Sequence, residues 1–391
     1  MRQRSFALVS LLLAAPVAAQ ANPFVITSTC TPNVEFAITS YPTSATTADG
    51  FNDFRCTGAG GQDQLYQSLW FYRIDNDTRE YTFNNSATSG MQPERINRKG
   101  DRAVLTWVNT DGRGFDARLE YQVYSTGPDN GVCSQCLTVT NNTSAPITFD
   151  IFSYTDYDVC GAGGDSATFV GPPPQIEVTD SVCPVKMYYL ACGYNHYQTT
   201  SFATVRGLLS DANRDDLNDT GIPFGPGDFT NAYQWQNVAV RPGDSASFYI
   251  ALGCDRQIPC CNVASIRNYC MAKAGTNGLP TWGENPLYVC GETELKVLNG
   301  FPGSTPFVIL GLPPGVCIPV PPFGMLAVNP ILGSFFMPPF GANNVSALCL
   351  AVPWNPALCG AGLNMQAFFA DPGAVGGIAH TDGCAFIIGS L

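Results

Sequence analysis

The chain has 391 residues and carries 19 lysines and arginines against 31 aspartates and glutamates, which gives a formal net charge of −12 at pH 7. A surface of this sign repels the phosphates of nucleic acids and anionic lipids, so we expect no nucleic-acid partner. The sequence also lacks a Walker loop, a dinucleotide-binding fingerprint and a haem attachment motif, which argues against those cofactor classes.

The first 21 residues are typical of a secretory signal peptide. Arg2 and Arg4 give a positively charged start, residues 6–15 form a short apolar core, and Ala19-Gln20-Ala21 is a cleavage site of small residues. The apolar core is too short to cross ~30 Å of hydrocarbon. We therefore predict a secreted or cell-surface protein with no transmembrane segment. Without Arg2 and Arg4, 17 basic residues remain against 31 acidic ones, a net charge of −14.

Apolar and polar residues alternate with a period of two in the segments that follow. In FDARLEYQVY, residues 115–124, the odd positions are apolar and most even positions are polar, the pattern of a half-buried antiparallel strand. Further strands are predicted at residues 65–74, 101–108, 136–152 (two strands joined around Asn141–Pro146) and 238–252 (a hairpin that turns at Pro242–Asp244). No long stretch shows a helical period.

The fold class predicted from this pattern is all-β, with two disulfide-linked antiparallel β-sandwich domains of which the N-terminal one is larger. A mature chain of about 370 residues suits two domains of ~100–200 residues each. The alternating pattern that predicts strands is interrupted between Cys254 and Gly278. The predicted division is a signal peptide at 1–21, a large domain at 22–255, a Cys-rich linker at 256–280 and a C-terminal module at 281–391.

The 16 cysteines are an even number, which in an exported chain implies disulfides. Ten lie between Cys30 and Cys261 and six between Cys270 and Cys384, so each domain can close its own bridges. The CSQC motif, residues 133–136, has no second CxxC beside it, and we assign it a structural disulfide role rather than a zinc or redox role.

The C-terminal part differs sharply in charge. No charged residue occurs from Val297 to Ala370, and recurring prolines interrupt every apolar run. One interpretation is a compact sandwich with a neutral surface rich in serine, asparagine and proline. The other is self-association or contact with the cell envelope through this uncharged domain.

The stretch SDANRDDLNDTG, residues 210–221, is the strongest candidate for a chemical site. Asp211, Asn213, Asp215 and Asp219 stand at positions one, three, five and nine of this run, the spacing at which alternate oxygens of a coiling loop can converge on calcium. Three features argue against an EF-hand: Asp216 replaces the glycine of position six, Ile222 stands at position twelve where the glutamate is expected, and no convincing helical pattern flanks the loop.

A looser calcium site is also predicted from other acidic loops. Asp156, Asp158 and Asp165 lie in FSYTDYDVCGAGGD, and Asp228 lies in GPGD. If these loops meet at one end of the sandwich, their carboxylates repel one another unless a cation or protonation relieves them. The alternative is that aspartate and asparagine occupy turns because their side chains bond to local backbone amides.

Catalytic patterns are scarce. Ser166 and Ser245 follow Gly-Asp pairs, but a serine nucleophile needs a histidine base, and the chain has only His196 and His380. The chain order fits no serine-protease arrangement, and we predict that His196 is a hydrogen-bonded loop residue. A glycosidase needs two positioned carboxylates, and the sequence contains too many pairs to single one out.

Five tryptophans could stack on sugars: Trp70, Trp107, Trp235, Trp282 and Trp354. Trp70 and Trp107 lie in apolar strands, which indicates core positions. Trp235 is the residue that we associate with a sugar-binding face of the larger domain.

Three segments near the C-terminus read NYCMAKAGTNG (residues 268–278), FPGSTPFVILG (301–311) and VPWNPALCGAGLNMQAFFADP (352–372). They resemble a β-sandwich module that recurs in secreted proteins of planctomycetes and similar bacteria. The closing strand pattern of that module is matched by Pro353, Pro356, Leu358, Gly360, Leu363, Gln366 and Ala367. The resemblance covers roughly residues 268–391, and it implies export and surface association rather than a reaction.

The N-terminal part contains LWFYRIDNDTREYTFN (residues 69–84), LTVTNNTSAPITFDIFSYTDYDV (137–159) and GPGDFTNAYQW (225–235). These pieces are similar to another group of exported bacterial β-rich proteins, with a large sandwich of the kind that sugar-ring-binding domains also use. Fold resemblance alone does not assign a function.

The function predicted from the sequence is a secreted or cell-surface, non-catalytic structural or adhesion protein stabilised by calcium. The alternative is a carbohydrate-binding or carbohydrate-active protein that uses the N-terminal sandwich, with a glycan as its partner. A further rival is a hydrolase that depends on His196. Calcium is the only cofactor predicted.

Overall fold

The computed structural model describes residues 23–42, 46–56, 60–83, 95–283, 286–288, 292–352 and 355–389. The predicted signal peptide, together with Cys290 and Trp354, lies outside these described residues. Nearly all the regular structure is β-strand, and every strand pair in the sheets is antiparallel. The predicted fold class is confirmed.

The N-terminal part contains 17 of the described strands, numbered in chain order. They are β1 (Phe24–Thr27), β2 (Val34–Ser40), β3 (Phe51–Cys56), β4 (Gln67–Ile74), β5 (Tyr81–Thr82), β6 (Arg95–Lys99), β7 (Arg102–Trp107), β8 (Phe115–Ser125), β9 (Gly131–Asn141), β10 (Ile147–Asp156), β11 (Asp165–Val170), β12 (Gln175–Asp180), β13 (Lys186–Cys192), β14 (His196–Ser201), β15 (Phe224–Gly227), β16 (Phe229–Val240) and β17 (Ser245–Cys254). One α-helix, α1 (Phe202–Leu208), lies between β14 and β15.

The C-terminal part contains the other 11 described strands. They are β18 (Ser265–Tyr269), β19 (Thr281–Trp282), β20 (Glu292–Leu298), β21 (Phe307–Gly311), β22 (Ile318–Val320), β23 (Gly324–Leu326), β24 (Ile331–Phe336), β25 (Ser346–Ala351), β26 (Gly362–Ala370), β27 (Ile378–His380) and β28 (Gly383–Ile387). Short 3-10 turns occur at Thr110–Gly112, Pro356–Leu358 and Val375–Gly377.

Two large sheets build the N-terminal part. The nine-stranded sheet has the order β15-β11-β12-β13-β17-β9-β8-β7-β6, and the five-stranded sheet has the order β14-β16-β10-β4-β5. A smaller sheet, β1-β2-β3, packs beside β8 through Phe24 and Phe36, whose rings contact Tyr121. The C-terminal part has a sheet of order β18-β28-β26-β21-β24 with β27 beside β26, a three-stranded sheet β19-β20-β25 and the hairpin β22-β23.

The predicted strands match the observed ones closely. Strand β8 buries its odd-numbered residues from Phe115 to Val123, as the alternation indicates. The predicted turn at Pro242–Asp244 joins β16 to β17, and the predicted connection at Asn141–Pro146 joins β9 to β10. The expectation that residues 238–252 form a hairpin was wrong, because β16 belongs to the five-stranded sheet and β17 to the nine-stranded sheet, so the two strands do not pair. Short-range alternation therefore identifies these strands correctly.

The main core lies between the nine-stranded and five-stranded sheets, which pack face to face. Trp70 and Tyr72 enter it from β4, and Leu119 and Tyr121 enter it from β8. Each large apolar side chain buried in this way contributes about 1.5–3 kcal/mol. Trp70 Nε1 donates to Gln135 Oε1 at 2.8 Å, so the indole N–H keeps a partner inside the core.

The opposite face of the five-stranded sheet is also covered. Leu69 and Phe71 of β4 pack there against Val205 of α1 and Leu209 just after it. The helix directly precedes the acidic loop 210–221, so the expectation that no helix flanks this loop was wrong. Because α1 spans only seven residues, the helical period is too short to stand out in the sequence.

A second core holds the C-terminal sheets together. Trp282 of β19 and Leu295 of β20 pack there against Val308 of β21, Met365 of β26 and Phe386 of β28. Strand β18 pairs with β28, so the C-terminal sheet includes residues of the segment 256–280 that we predicted as a linker.

The C-terminal part packs on the outer face of the nine-stranded sheet. The rings of Tyr124 and Tyr288 stack with their centroids 4.4 Å apart. Ile258 and Ala264, from the predicted linker, are buried in the same cluster.

Six disulfides join described cysteines, and their pattern corrects the prediction that each domain closes its own bridges. Four are Cys56–Cys254, Cys160–Cys183, Cys192–Cys261 and Cys270–Cys317. The other two, Cys30–Cys349 and Cys260–Cys359, join the N-terminal part to the C-terminal part. The expectation that each domain closes its own bridges was therefore wrong.

The structural disulfide role predicted for the CSQC motif was also wrong. Cys133 is buried in the main core as a free thiol, and Cys136 is a free thiol on the outer face of the nine-stranded sheet. Because both lie on β9 at an odd spacing, their side chains point to opposite faces and cannot reach each other.

Among the described residues, no helix is long and apolar enough to span a membrane.

Candidate metal centre

Three aspartates meet at one end of the sandwich, where β10 ends and β16 begins. Asp156 is the last residue of β10, and it pairs with Thr230 of β16. Asp158 follows two residues later, and Asp228 immediately precedes β16. The alternation of β10 continues past its end, since Tyr157 is buried in the core while Asp156 and Asp158 share the other side. Sheet pairing therefore brings the three carboxylates together.

The geometry of this cluster suits a cation of the size of calcium. One carboxylate oxygen from each of Asp156, Asp158 and Asp228 lies within 4.8 Å of the other two. Ligands on opposite sides of a calcium ion at about 2.4 Å are about 4.8 Å apart. Asp156 is fully buried, and Asp158 and Asp228 are half-buried, so the cluster is open to solvent on one side.

The buried member of the cluster has an unsatisfied oxygen. Asp156 Oδ1 is inaccessible to solvent and has no hydrogen-bond partner among the residues that the structure describes. Its other oxygen, Oδ2, accepts only a long hydrogen bond of 3.5 Å from the hydroxyl of Tyr154. In the described part of the chain, no ion pair includes Asp156, Asp158 or Asp228. A buried carboxylate oxygen without a partner costs free energy that a bound cation would recover.

The protonation of the cluster reflects this crowding. Burial, followed by the neighbouring charges of Asp158 and Asp228, raises the pKa of Asp156 to about 8, with Arg206 opposing the rise. Burial and Asp228 raise the pKa of Asp158 to about 6. Burial also raises the pKa of Asp228. These shifts mean that the cluster resists carrying its full negative charge without a counter-ion.

A fourth carboxylate, that of Asp165, adds to the negative electrostatic potential at this cluster. Asp165, the first residue of β11, is fully buried, and its pKa rises to about 8 because of burial and then of Asp158 and Asp180. The segment before it approaches the cluster through Gly164, whose N–H donates to the carbonyl of Gly227 at 3.1 Å. Gly164 has a φ of +123°, and a β-carbon there would come within 2.5 Å of Asp180 Oδ2. Only glycine permits this approach.

The acidic loop 210–221, in contrast, directs its side chains to other partners. Asp219 Oδ2 lies 2.8 Å from Nδ1 of His196, and Asp219 Oδ1 accepts from the N–H of Tyr197 at 3.0 Å. Although slight burial opposes the effect, these hydrogen bonds lower the pKa of Asp219. Asp211 Oδ1 accepts from the backbone N–H of Asn213 at 2.6 Å, and Asp211 Oδ2 accepts from the side-chain amide of Asn213 at 3.0 Å.

The middle of the loop covers a buried arginine. Arg73 of β4 is 1% exposed, and it forms ion pairs with Glu80 at 2.6 Å, with Asp150 at 2.7 Å and with Asp216 of the loop. The guanidinium also donates to the backbone carbonyl of Asp215. The predicted ligands Asp211, Asn213, Asp215 and Asp219 thus lie in one loop, but the described residues do not include a group of three of their carboxylates that meets at one point.

Among the described residues, the two histidines and the serines singled out in the sequence do not assemble into a catalytic arrangement. His196 lies on β14 of the five-stranded sheet, whereas Ser245 lies on β17 of the nine-stranded sheet and bonds to Thr140 at 2.8 Å. His380 is buried among C-terminal residues, and its Nε2 accepts from the N–H of Met325 at 3.0 Å. The partner of His196, Asp219, was not foreseen from the sequence.

The four described tryptophans, Trp70, Trp107, Trp235 and Trp282, are at most 4% exposed. The core positions predicted for Trp70 and Trp107 are confirmed. Trp235 stacks on Trp70 and donates from Nε1 to the carbonyl of Cys192 at 2.8 Å, so it is also a core residue rather than part of an exposed sugar-binding face.

No protein-family model matches the chain, and no curated protein matches it. Among solved structures, the chain is similar to a polysaccharide lyase at 9% identity and a TM-score of 0.35, over 92% of this chain and 47% of the lyase. It is also similar to the Slr1438 protein from Synechocystis sp. PCC 6803 at 8% identity and a TM-score of 0.36, over 66% of this chain and 100% of that protein. The chain thus spans about half the length of the lyase. At TM-scores this low, neither likeness supports an inference about function.

Proposed function

We propose that this protein is an exported, non-catalytic structural protein whose β-sandwich is stabilised by a calcium ion at Asp156, Asp158 and Asp228. The disulfides support export, because such bridges persist in oxidising compartments. The observation that carries the calcium site is Asp156 Oδ1, a buried oxygen in a cluster of three carboxylates that has no hydrogen-bond partner in the described part of the chain.

The position of the site explains what a bound ion would stabilise. Asp156 ends a strand of the five-stranded sheet, and Asp228 lies between β15 of the nine-stranded sheet and β16 of the five-stranded sheet. An ion shared by these residues would tie the connection between the two sheets to the end of β10. It would also neutralise carboxylates that otherwise repel one another.

Thermal melting of the full chain with calcium and with a chelator tests the proposal. A ligand that binds only the folded state stabilises it by about 2.7 kcal/mol when its free concentration is 100 times the dissociation constant. We expect the melting temperature to rise with calcium. Magnesium should give a smaller rise, because it requires a near-ideal octahedral shell at ~2.0–2.1 Å.

Two variants separate the cluster from the acidic loop. Asp158→Asn should abolish the calcium-dependent rise, because it removes a half-buried ligand of the cluster. Asp211→Asn is the matched control in the loop, and it should leave the rise unchanged. Identical melting curves with millimolar calcium and with chelator would refute the proposed site, and so would a rise that survives in Asp158→Asn but not in Asp211→Asn.

A further inference from the structure

A cleft of about 530 Å³ lies between the outer face of the nine-stranded sheet and the C-terminal part. Its floor consists of outward-facing residues of four neighbouring strands, β7, β8, β9 and β17, and its wall includes β18 and β19. Small-molecule sites commonly have volumes of ~300–1,000 Å³ and lie where two domains meet. The cleft is separate from the carboxylate cluster, with which it shares no residue.

The described lining of the cleft contains more cationic than anionic side chains. Among these described residues, Arg102 and Arg118 line the floor together with one carboxylate, Glu120. Both oxygens of Glu120 are already engaged, Oε1 by Arg102 at 2.5 Å and Oε2 by Arg118 at 2.6 Å. In the described lining, two guanidinium groups therefore share one carboxylate, in a chain whose formal net charge is −12. An anionic ligand would complete this arrangement.

Two donors of the cleft residues have no acceptor among the described residues. Trp282 lines the cleft and is 4% exposed, yet its Nε1–H has no hydrogen-bond partner in this described part of the chain. The same holds for the buried Nε–H of Arg102. Buried donors in folded proteins nearly always have partners, so these two favour a ligand with oxygen acceptors, which reaches them once the side chains that close them from solvent move.

The remaining polar groups of the floor suit hydroxyls. Thr138 and Ser247 lie opposite each other with their hydroxyl oxygens 2.8 Å apart, and Tyr249 lies two residues along β17. Gln122 adds an amide on β8. Hydroxyl and amide groups both donate and accept, and they match the alternating hydroxyls of a sugar ring.

We propose that this cleft binds a small carboxylated saccharide. The carboxylate of the sugar pairs with the guanidinium of Arg118, which is 44% exposed on its side chain and therefore accessible. The ring oxygens and hydroxyls accept from Trp282 and exchange hydrogen bonds with the hydroxyls of the floor. The ligand needs both features, because the charge recognises the carboxylate and the neutral donors recognise the hydroxyls.

Titration calorimetry of the full chain with D-glucuronate and with D-glucose tests this inference, because the two sugars differ only at the carboxylate. We expect saturable binding of glucuronate and at least tenfold weaker binding of glucose. Arg118→Gln should weaken glucuronate binding at least tenfold and leave glucose binding unchanged. Trp282→Phe, which keeps an aromatic ring but removes the donor, should weaken both sugars.

Arg55→Gln is the matched control, since Arg55 is 43% exposed and also pairs with a carboxylate, but lies on β3 away from the cleft. It should bind glucuronate as the unchanged protein does. Absence of glucuronate binding, equal affinity for the two sugars, or an unchanged affinity in a folded Arg118→Gln protein would overturn the inference. None of these results bears on the calcium site, which is tested by melting without sugar.

Discussion

Two acidic regions of the molecule, the loop 210–221 and the cluster at the end of β10, are both rich in aspartate but have different surroundings. In the loop, Asp219 bonds to His196 and Asp216 pairs with the buried Arg73. In the cluster, Asp156 and Asp158 have no cationic side chain as a direct partner among the described residues. The spacing of acidic residues along a chain therefore does not identify a cation site. The side chains that the fold places opposite them decide whether they stabilise a protein cation or require an external one.

The largest expected change in stability concerns Arg73, the buried arginine that the loop covers. Arg73→Met should destabilise the fold by about 3–5 kcal/mol, because removing one partner of a buried charge network leaves the others uncompensated. The carboxylates left behind are those of Glu80 and Asp150, which are at most 5% exposed on their side chains. Chemical denaturation measures the change. Arg214→Met, which also removes a cation from Asp150 but at 39% exposure, should cost much less; an equal loss in both variants would contradict the assigned role of the buried network.

The next effect concerns the pH dependence of the cluster. The pKa of Asp156 is about 8 in the folded chain, above its ordinary value of 3.8. Between these values the folded state holds a proton that the unfolded state has released, so the free energy of unfolding should fall as the pH rises from about 4 to 8. Denaturation in chelator should show this fall. Calcium favours the ionised form, and so it should make the fall smaller.

Other carboxyl groups with a raised pKa also contribute to the pH dependence of the free energy of unfolding. Measurements with calcium and with chelator separate their contribution from that of the cluster. Burial and then Asp53 raise the pKa of Asp63 to about 7, but Asp63 is not part of the cluster. Its contribution should be equal with calcium and with chelator. The difference between the two profiles therefore isolates the cluster, and a difference that does not grow between pH 5 and pH 8 would speak against calcium binding at Asp156.

A third, smaller effect is expected when Asp156 itself loses its charge. Asp156→Asn keeps the volume of the side chain and supplies an amide that can donate to Asp158 or Asp228. At pH 8 in chelator, this variant should be more stable than the unchanged protein by about 1–3 kcal/mol, the cost of an unsatisfied buried group. With saturating calcium the order should reverse. Denaturation at both conditions checks the prediction, and a variant that is less stable under both would show that Asp156 has a partner of another kind.

The sequence predicts the strands well because their signal is local. The alternation of β8 depends only on neighbouring residues, and the turn between β16 and β17 is indicated by the local sequence Pro242–Asp244. That the two strands enter different sheets is a long-range feature, which the turn does not reveal. The convergence of the loops with Asp156, Asp158 and Asp228 was expected only on the condition that they lie at the same end of the sandwich. That condition depends on the pairing of β10 with β16, which short-range patterns do not fix.

Long-range features escaped sequence reasoning for the same reason. The bridges Cys30–Cys349 and Cys260–Cys359 join the two parts of the molecule, and parity of cysteine counts cannot reveal this. The role of the acidic loop did have a local signal in another segment. Arg73 stands in the otherwise apolar run LWFYRI, and a charge at a buried strand position requires acidic partners from elsewhere in the chain.

The smallest expected effect concerns the pair formed by His196 and Asp219. Both side chains are at least one-third exposed, and exposed ion pairs contribute about 0.2–1 kcal/mol. His196→Ala should therefore destabilise the fold by less than about 1 kcal/mol and leave the calcium-dependent rise in melting temperature unchanged. A loss of that rise in His196→Ala would mean that the loop, through Asp219, and not the cluster, holds the cation. The comparison between the two acidic regions would then be reversed, with the histidine serving to orient a ligand in the loop and the cluster carrying protons instead of an ion.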